Sequence, residues 1–441
     1  MASTKLSRTA GTPTSSKKFT ISFWVKRSNI GSAGNGHIFD TYVDSSNRSQ
    51  IHFDDDNVID FRLAVSGSNI GRLKTNRVFR DVGAFYHIVA SVDTTLATAD
   101  DRVKLYINGV QETSFSSRIN PSQNADFPMN GTHTIGAYGG GTNYFDGILS
   151  YFAFVDGTAY TPTSFGETNA ASGIWKINTA PSVTYGTNGC FLKMDTSSPG
   201  SDTSGNNNTF TAAGTPTLAQ DNASNILVTL NPLLDVNAVP TFLNGNTTIV
   251  GSSSGGARLS GSSISVGTGK WYYEIKTTVD GSQPYIGVID AQSNIRRNSS
   301  YFVAATSGSN DSGYAVNMSG DIYYNNSSTY ASNIGSISTG NILGFAVDLT
   351  STQKTCTIYK NGTSMRTFNL ANPSSDNYML GVCSISNSAS AKCEVNFGNG
   401  FFGVTAVSSS NADAAGHGLF EYAVPTGFFT LNTKNLNTYG G

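Results

Sequence analysis

The 441-residue sequence predicts an all-β fold, two tandem jelly-roll β-sandwiches joined by an irregular connector. Three observations predict it. Short runs rich in Phe, Tyr, Val and Ile alternate apolar and polar residues, the period of a half-buried strand. Clusters of Gly, Asn and Ser bound those runs and supply turns. No stretch of ten or more residues carries a 3.6-residue apolar repeat between helix caps, so little helix is expected.

The strands fall into two sets. In the first, residues 19–26 set Phe19, Ile21, Phe23 and Val25 against Thr20, Ser22 and Trp24. Residues 86–93 and 103–111 repeat the alternation. The second of these holds Asn108-Gly109, whose tolerance of positive φ suits a type I′ hairpin turn. Residues 133–138 and 145–156 complete the set. The later set comprises 270–277, 285–290, 313–318, 321–325, 342–349, 356–360, 378–384 and 391–397, and its 356–360 run ends in Asn361-Gly362. Both sets share an aromatic opening strand, a central apolar strand and an aromatic-x-Asn-Gly hairpin. Eight or more short strands at turn-bounded spacing favour a jelly roll. Between the sets, residues such as 195–213 (DTSSPGSDTSGNNNTFTAA) are turn chemistry with few apolar positions. The expected boundaries are 1–165 for the first sandwich, 166–245 for the connector, 246–400 for the second sandwich and 401–441 for a C-terminal extension.

Composition narrows the function. Charged residues make up 13%, about half of the roughly 25% usual for globular domains, while aromatics reach 11%. Disordered chains show the opposite balance, so this chain can build cores under a surface of hydroxyls and amides. The net charge is −2, and no basic stripe is present to drive counterion release, so no nucleic-acid partner is expected. No apolar run reaches the length of a membrane span, and residues 1–16 are too polar for a signal peptide. Exposure outside a cell would then follow lysis, inside a virus particle made in the host cytoplasm. Cys190, Cys356, Cys383 and Cys393 form no CxxC and lie at no zinc-ligand spacing. An odd number of them in the second sandwich implies a free thiol.

The first half resembles the laminin-G-like, concanavalin A-like lectin/glucanase superfamily. The residues that carry the likeness are FTISFWVKRS (19–28), YHIVASVDTT (86–95), VKLYINGVQ (103–111) and FDGILSYFAFVDG (145–157). The usual Trp at the head of the second motif is replaced by Phe85-Tyr86. The second half resembles a SPRY domain through GKWYYEIKT (269–277), YIGVID (285–290), GYAVNMSGDIYYNN (313–326), ILGFAVDLTSTQKTCTIYKNG (342–362) and EVNFGNG (394–400). Both resemblances imply concanavalin-type sandwiches. The pairing, with FGETNAASGIWK (165–176), YGTNGCFLKM (185–194), DTSGNNNTFT (202–211), TLNPL (229–233) and VPTGFFTLNTKNLN (424–437), is similar to that of marine bacteriophage virion proteins. It implies a non-enzymatic structural protein on the virion exterior, a tail fibre, spike or capsid-surface appendage.

Catalytic constellations are scarce. Glucanases of this superfamily place acidic residues at alternate positions of one strand to flank the scissile bond, whereas the opening strands here offer Glu274 alone. Asp54, Asp55 and Asp56, with Asp60 nearby, could offer hard oxygens to Ca²⁺, or could form a solvated turn. No cofactor is otherwise expected. The formal G-x-S-x-G match at 251–255 lies in a Ser/Gly loop with no following helix, and GTGK (267–270) lacks the rest of a P-loop. His37, His52, His87, His133 and His417 are scattered, and His87 on an apolar strand reads as a core histidine. Aromatic loops are the candidate recognition surfaces, because rings beside amides match both the apolar faces and the hydrogen-bonding edges of sugars. They are Tyr138 and Tyr144 in YGGGTNYF, Tyr323 and Tyr324 with Tyr330, and Arg296 and Arg297 beside Tyr301.

The leading expectation is a virion protein that adheres to a host surface glycan. The rivals are a purely architectural virion subunit and a polysaccharide depolymerase. Other virion proteins are the expected partners and a homo-oligomer, a trimer in preference, the expected assembly. Residues 1–16 and 401–441, polar or irregular, are the expected attachment segments.

Overall fold

The structure, a computed structural model, describes residues 4–28, 30, 36–170, 172–194, 198–216, 218–232, 234, 241–251, 258–278, 284–291, 313–324, 327–331, 333–370, 377–385 and 391–440. It is nearly all β and divides into two compact units, residues 1–218 with 222–224, and residues 219–221 with 225–441.

In the first unit an eight-stranded sheet runs in the order Phe115–Ile119, Ser68–Val78, Val58–Val65, Asn47–Phe53, His37–Asp44, Thr132–Ile135, Lys5–Thr9, Thr211–Ala213. A six-stranded sheet runs Cys190–Leu192, Gly147–Asp156, Lys18–Arg27, Tyr86–Asp93, Val103–Ile107, Val110–Gln111. Phe19, Phe23, Phe39, Phe61, Phe152 and Leu105 are among the side chains that close the core between them, all at most 1% exposed. The hairpin at Asn108-Gly109 turns with φ of 48° and 81°, as its sequence requires.

The alternation in Lys18–Arg27 predicts one wet face, but Thr20, Ser22 and Trp24 are also buried, at 0, 1 and 5% exposure. The reason is a layer that runs from the end of the expected first sandwich into the segment expected to be a bare connector. Tyr160, Phe165, Tyr185 and Phe191 form a second apolar layer on Val89, Ala153 and Val155, over the other side of the six-stranded sheet. Trp175 of strand Trp175–Ile177 lies on the hairpin, where a Cβ at Gly109 would sit 2.4 Å from its ring. Residues 166–218 thus pack as part of the first unit. The N-terminal segment is likewise structured, because strand Lys5–Thr9 pairs with both Thr132–Ile135 and Thr211–Ala213.

In the second unit one sheet runs Thr241–Leu243, Thr248–Val250, Lys392–Asn396, Lys270–Thr278, Ile342–Asp348, Lys354–Lys360, Thr363–Leu370. The other runs Arg258–Ser260, Tyr378–Ile385, Tyr285–Asp290, Gly313–Val316, Ile322–Tyr324, Ser327–Ala331. Trp271, Tyr273, Tyr314, Phe345, Tyr378 and Phe397 fill the space between them. Residues 401–440, expected as an extension, are built into this unit. Strand Phe429–Thr430 pairs in parallel with Lys270–Thr278, and helix Thr433–Tyr439 is capped by the Asn432 side chain.

The clasp behind this is electrostatic. Glu274, fully buried on Lys270–Thr278, accepts hydrogen bonds from the Glu421 and Tyr422 backbone N–H groups, both at 2.9 Å. Tyr272 Oη (3.2 Å) and Asn396 Nδ2 (3.3 Å) donate to it as well. Burial outweighs these donors and pushes the Glu274 carboxyl up from 4.5 to about 7. Asp413 plays the matching part further on, accepting from the N–H groups of Ala415, His417 and Thr430 and from Asn435 Nδ2. All four cysteines are free and buried.

Candidate ligand-binding cleft

Four neighbouring strands of the first unit turn one face to the core and present a polar face on the other side, with register shifts after His37 and before Asp60. Phe39, Ile51, Phe61 and Leu73 align across the sheet in one inward rung. The next outward rung aligns Asp40, Gln50, Arg62 and Arg72, while another aligns His37, His52, Asp60 and Lys74. Arg48 lies across from Tyr42 one rung further on.

The two carboxylates hold this face rigid. Asp60, fully buried, takes Arg62 through Nε and Nη2 at 2.8 and 2.6 Å and Arg72 through the same atoms at 3.0 and 2.6 Å. Burial alone would raise its pKa, but the two guanidinium groups win and hold it below the ordinary carboxylate value. Asp40, also fully buried, accepts from His37 Nδ1 at 3.0 Å, Gln50 Nε2 at 3.3 Å and the Gly139 N–H at 3.0 Å. That last bond draws the 138–145 loop over the face. It requires glycine, because a Cβ at residue 139 would lie 2.4 Å from the Cβ of Tyr42. The Tyr138 ring then stands edge-on to His37 and Tyr42, at centroid distances of 5.4 and 5.5 Å.

The result is a cleft of about 220 Å³, floored by His37, Gln50 and His52, flanked by Arg48 and Arg62, and rimmed by Tyr138 with Thr142 and Asn143. His37 and His52 stack in parallel, 4.5 Å apart. Burial, with His37 second, lowers His52 to about 3, so it is neutral at pH 7. Its Nδ1 has no partner, and neither has the Arg48 Nε. At about 30 Å³ per water the cleft holds roughly seven waters, the room of a single sugar ring.

A second His-containing group proves structural. Ser22 Oγ lies 2.9 Å from His87 Nε2, the arrangement of a nucleophile and base. Trp175 Nε1 donates to His87 Nδ1 at 3.0 Å, however, and an indole can only donate. His87 therefore carries its hydrogen on Nε2 and donates to Ser22, the reverse of what activation needs. Burial lowers His87 to about 3, and Trp24 and Trp175 stack on it.

Of the candidate ligand-binding residues, Tyr138 lines the cleft and no other described one does; Tyr144 is half-buried in the same loop but is not part of the lining. Tyr323 and Tyr324 do not form one surface. As strand neighbours they face opposite ways. Tyr324 stacks on buried Tyr314 at 4.7 Å and packs against the core, whereas Tyr323 meets Tyr285 edge-on and accepts from Asn317. Tyr330 belongs to strand Ser327–Ala331, and its side chain, like Arg296 and Arg297, lies outside the described residues. The Asp54–Asp56 turn is an ion-pair site: Lys74 Nζ lies 2.7 Å from Asp54 and 3.4 Å from Asp56, and Asp54 accepts the Asp56 N–H. Among the described residues no group of three or more His, Cys, Asp or Glu is placed to hold a metal ion.

From sequence His37 and His52 read only as scattered histidines, and Arg48, Gln50 and Arg62 belong to no motif. The signal was present in Arg48, Gln50 and His52 at alternate positions of one run.

Residues 3–163 match the concanavalin A-like lectin/glucanases superfamily and residues 270–400 match the SPRY domain. The chain thus carries a laminin-G-type concanavalin A-like domain followed by a SPRY domain, and both kinds are typically binding modules. Among solved structures, the SPRY domain of human HERC1 is 17% identical, with 38% of this chain and 96% of that one covered and a TM-score of 0.29. A heptameric SAP-like pentraxin from Limulus polyphemus is 19% identical, with 36% and 71% covered and a TM-score of 0.27. The TRIM65 PSpry domain is 16% identical, with 38% and 91% covered and a TM-score of 0.28. No curated protein sequence gives a significant match.

Proposed function

We propose that this chain is a non-catalytic binding protein on the exterior of a bacteriophage particle and that it holds a host surface glycan in the cleft of its first unit. The cleft carries the glycan reading. Amide, imidazole and guanidinium groups converge there beside an aromatic ring, in a volume suited to one sugar residue. The virion setting draws its support from the motif order and from the hydroxyl- and amide-rich, weakly charged composition.

One small cleft binds weakly, and display of several copies would convert weak contacts into avidity. A homo-oligomer, a trimer in preference as the fibre and spike reading implies, held by other virion proteins, would supply those copies. A depolymerase would need a carboxylic acid and a carboxylate about 5–10 Å apart and free to act. Asp40 and Asp60 are fully buried, and both are committed to donors.

The test is a glycan array probed with the purified protein, read beside its mass by light scattering and an assay for new reducing ends. Retention of a defined glycan set without cleavage is expected. Cleavage of the retained glycans would overturn the non-catalytic reading, and retention of none by a folded protein would leave an architectural subunit.

A further inference from the structure

We propose that the cleft selects an acidic saccharide, whose carboxylate or sulfate docks on Arg48, in the cleft that His52 also lines. This rests on the glycan reading above and adds to it the charge of the ligand.

Arg48, Arg62 and Arg72 bring three cations to this face, and Asp40 and Asp60 bring two carboxylates. Asp60 is spent on Arg62 and Arg72. Asp40 is spent on the donors of His37, Gln50 and Gly139. Lys74, on the same strand as Arg72, is answered by Asp54 and Asp56. Arg48 remains: it enters no ion pair among the described residues and acts only through space on the exposed Asp44 carboxylate. A guanidinium outside any ion pair on the flank of a small cleft can take an anionic group.

His52 is 8% exposed and lines the cleft with its Nδ1 unpartnered, and the Nε of Arg48 is unpartnered as well. Buried polar atoms are nearly always satisfied, so two orphans on residues that line one cleft are unmet needs that a ligand seated there can answer. A guanidinium offers parallel N–H donors that a carboxylate or sulfate can accept pairwise. A neutral sugar hydroxyl could meet one of these needs but would leave the charge unanswered. Sites built this way reject ligands that lack the matching group.

Tyr138 supplies a ring for the apolar face of the sugar, while Thr142 and Asn143, both exposed at the rim, supply hydroxyl and amide groups for its edge. The volume of about 220 Å³ admits one ring, so a single acidic residue of the glycan fills the cleft.

The experiment is isothermal titration of the full chain with three disaccharides of the same linkage, one carrying a uronic acid, one a sulfate and one neutral. Each is run at low and high salt, with wild type, Arg48→Gln and Asn143→Ala. The expected result is that at least one acidic disaccharide binds tenfold or more tightly than the neutral one. That preference should shrink with salt and vanish in Arg48→Gln, while Asn143→Ala weakens acidic and neutral ligands alike. The preferred anion separates carboxylate from sulfate. Equal affinities for acidic and neutral ligands, or an acidic preference that survives Arg48→Gln, would overturn the inference and leave the glycan reading standing. Failure of a folded protein to bind any glycan on the array as well as all three disaccharides would overturn both. Arg48 is only partly buried, and matched melting temperatures confirm that the variant is folded.

Discussion

Replacing Glu274 with Gln should remove a pH dependence that the wild-type second unit carries between about pH 4.5 and pH 7. The fully buried carboxyl has its pKa raised from 4.5 to about 7, because burial costs the charged form more than four donors return. The folded state therefore holds a proton that the unfolded chain releases. Its contribution is complete below about pH 4.5, declines as pH rises, and levels off above about 7. At about 1.4 kcal/mol per pH unit, the gap from 4.5 to about 7 amounts to about 3 kcal/mol. Burial also raises Glu394, which adds to the same trend, so the informative quantity is the difference between wild type and variant. Gln cannot titrate, and its amide N–H₂ must face a backbone N–H of Glu421 or Tyr422, at a fixed cost of about 1–3 kcal/mol. Urea unfolding from pH 4.5 to 7.5, resolved by hydrogen exchange in strand Ile342–Asp348, reads the second unit alone. The wild-type advantage should shrink by about 3 kcal/mol across that range. Parallel pH profiles would refute the reasoning and show that the clasp holds an ionised carboxylate.

Two further predictions concern the first unit. Trp175→Ala strips the hairpin of its cover and leaves His87 Nδ1 unpaired, so the unit should lose about 2–3 kcal/mol in urea unfolding; an unchanged midpoint would show that the 166–194 layer is not part of its fold. Added Ca²⁺ should leave the melting temperature of wild type within about 1 °C, since Lys74 already answers Asp54 and Asp56; a clear rise would restore the acidic turn as a cation site.

Most of the fold was legible because both sandwiches alternate with period two and mark their hairpins with Asn-Gly. The boundaries of Tyr86–Asp93 and Tyr285–Asp290 stand as the sequence predicts them. Two physical effects hid the rest. The 166–194 layer is held by isolated rings, Trp175, Tyr185 and Phe191, spaced between turn residues, and scattered single anchors leave no periodicity to read. Residues 401–440 are held by backbone N–H groups converging on Glu274 and Asp413, and backbone donors have no sequence signature. The cleft was hidden in the same way. Tyr138 stood out as a ring in a glycine loop, whereas Arg48, Gln50 and His52 became a site only once cross-strand register set them beside Asp40 and Asp60.

A crystal structure of the chain with its best-retained glycan bound tests the central claim most directly. The account predicts a sugar ring against Tyr138 with its polar groups on Arg48 and His52. A glycan seated instead on the second unit, for example at Tyr323, with the cleft empty, would contradict it.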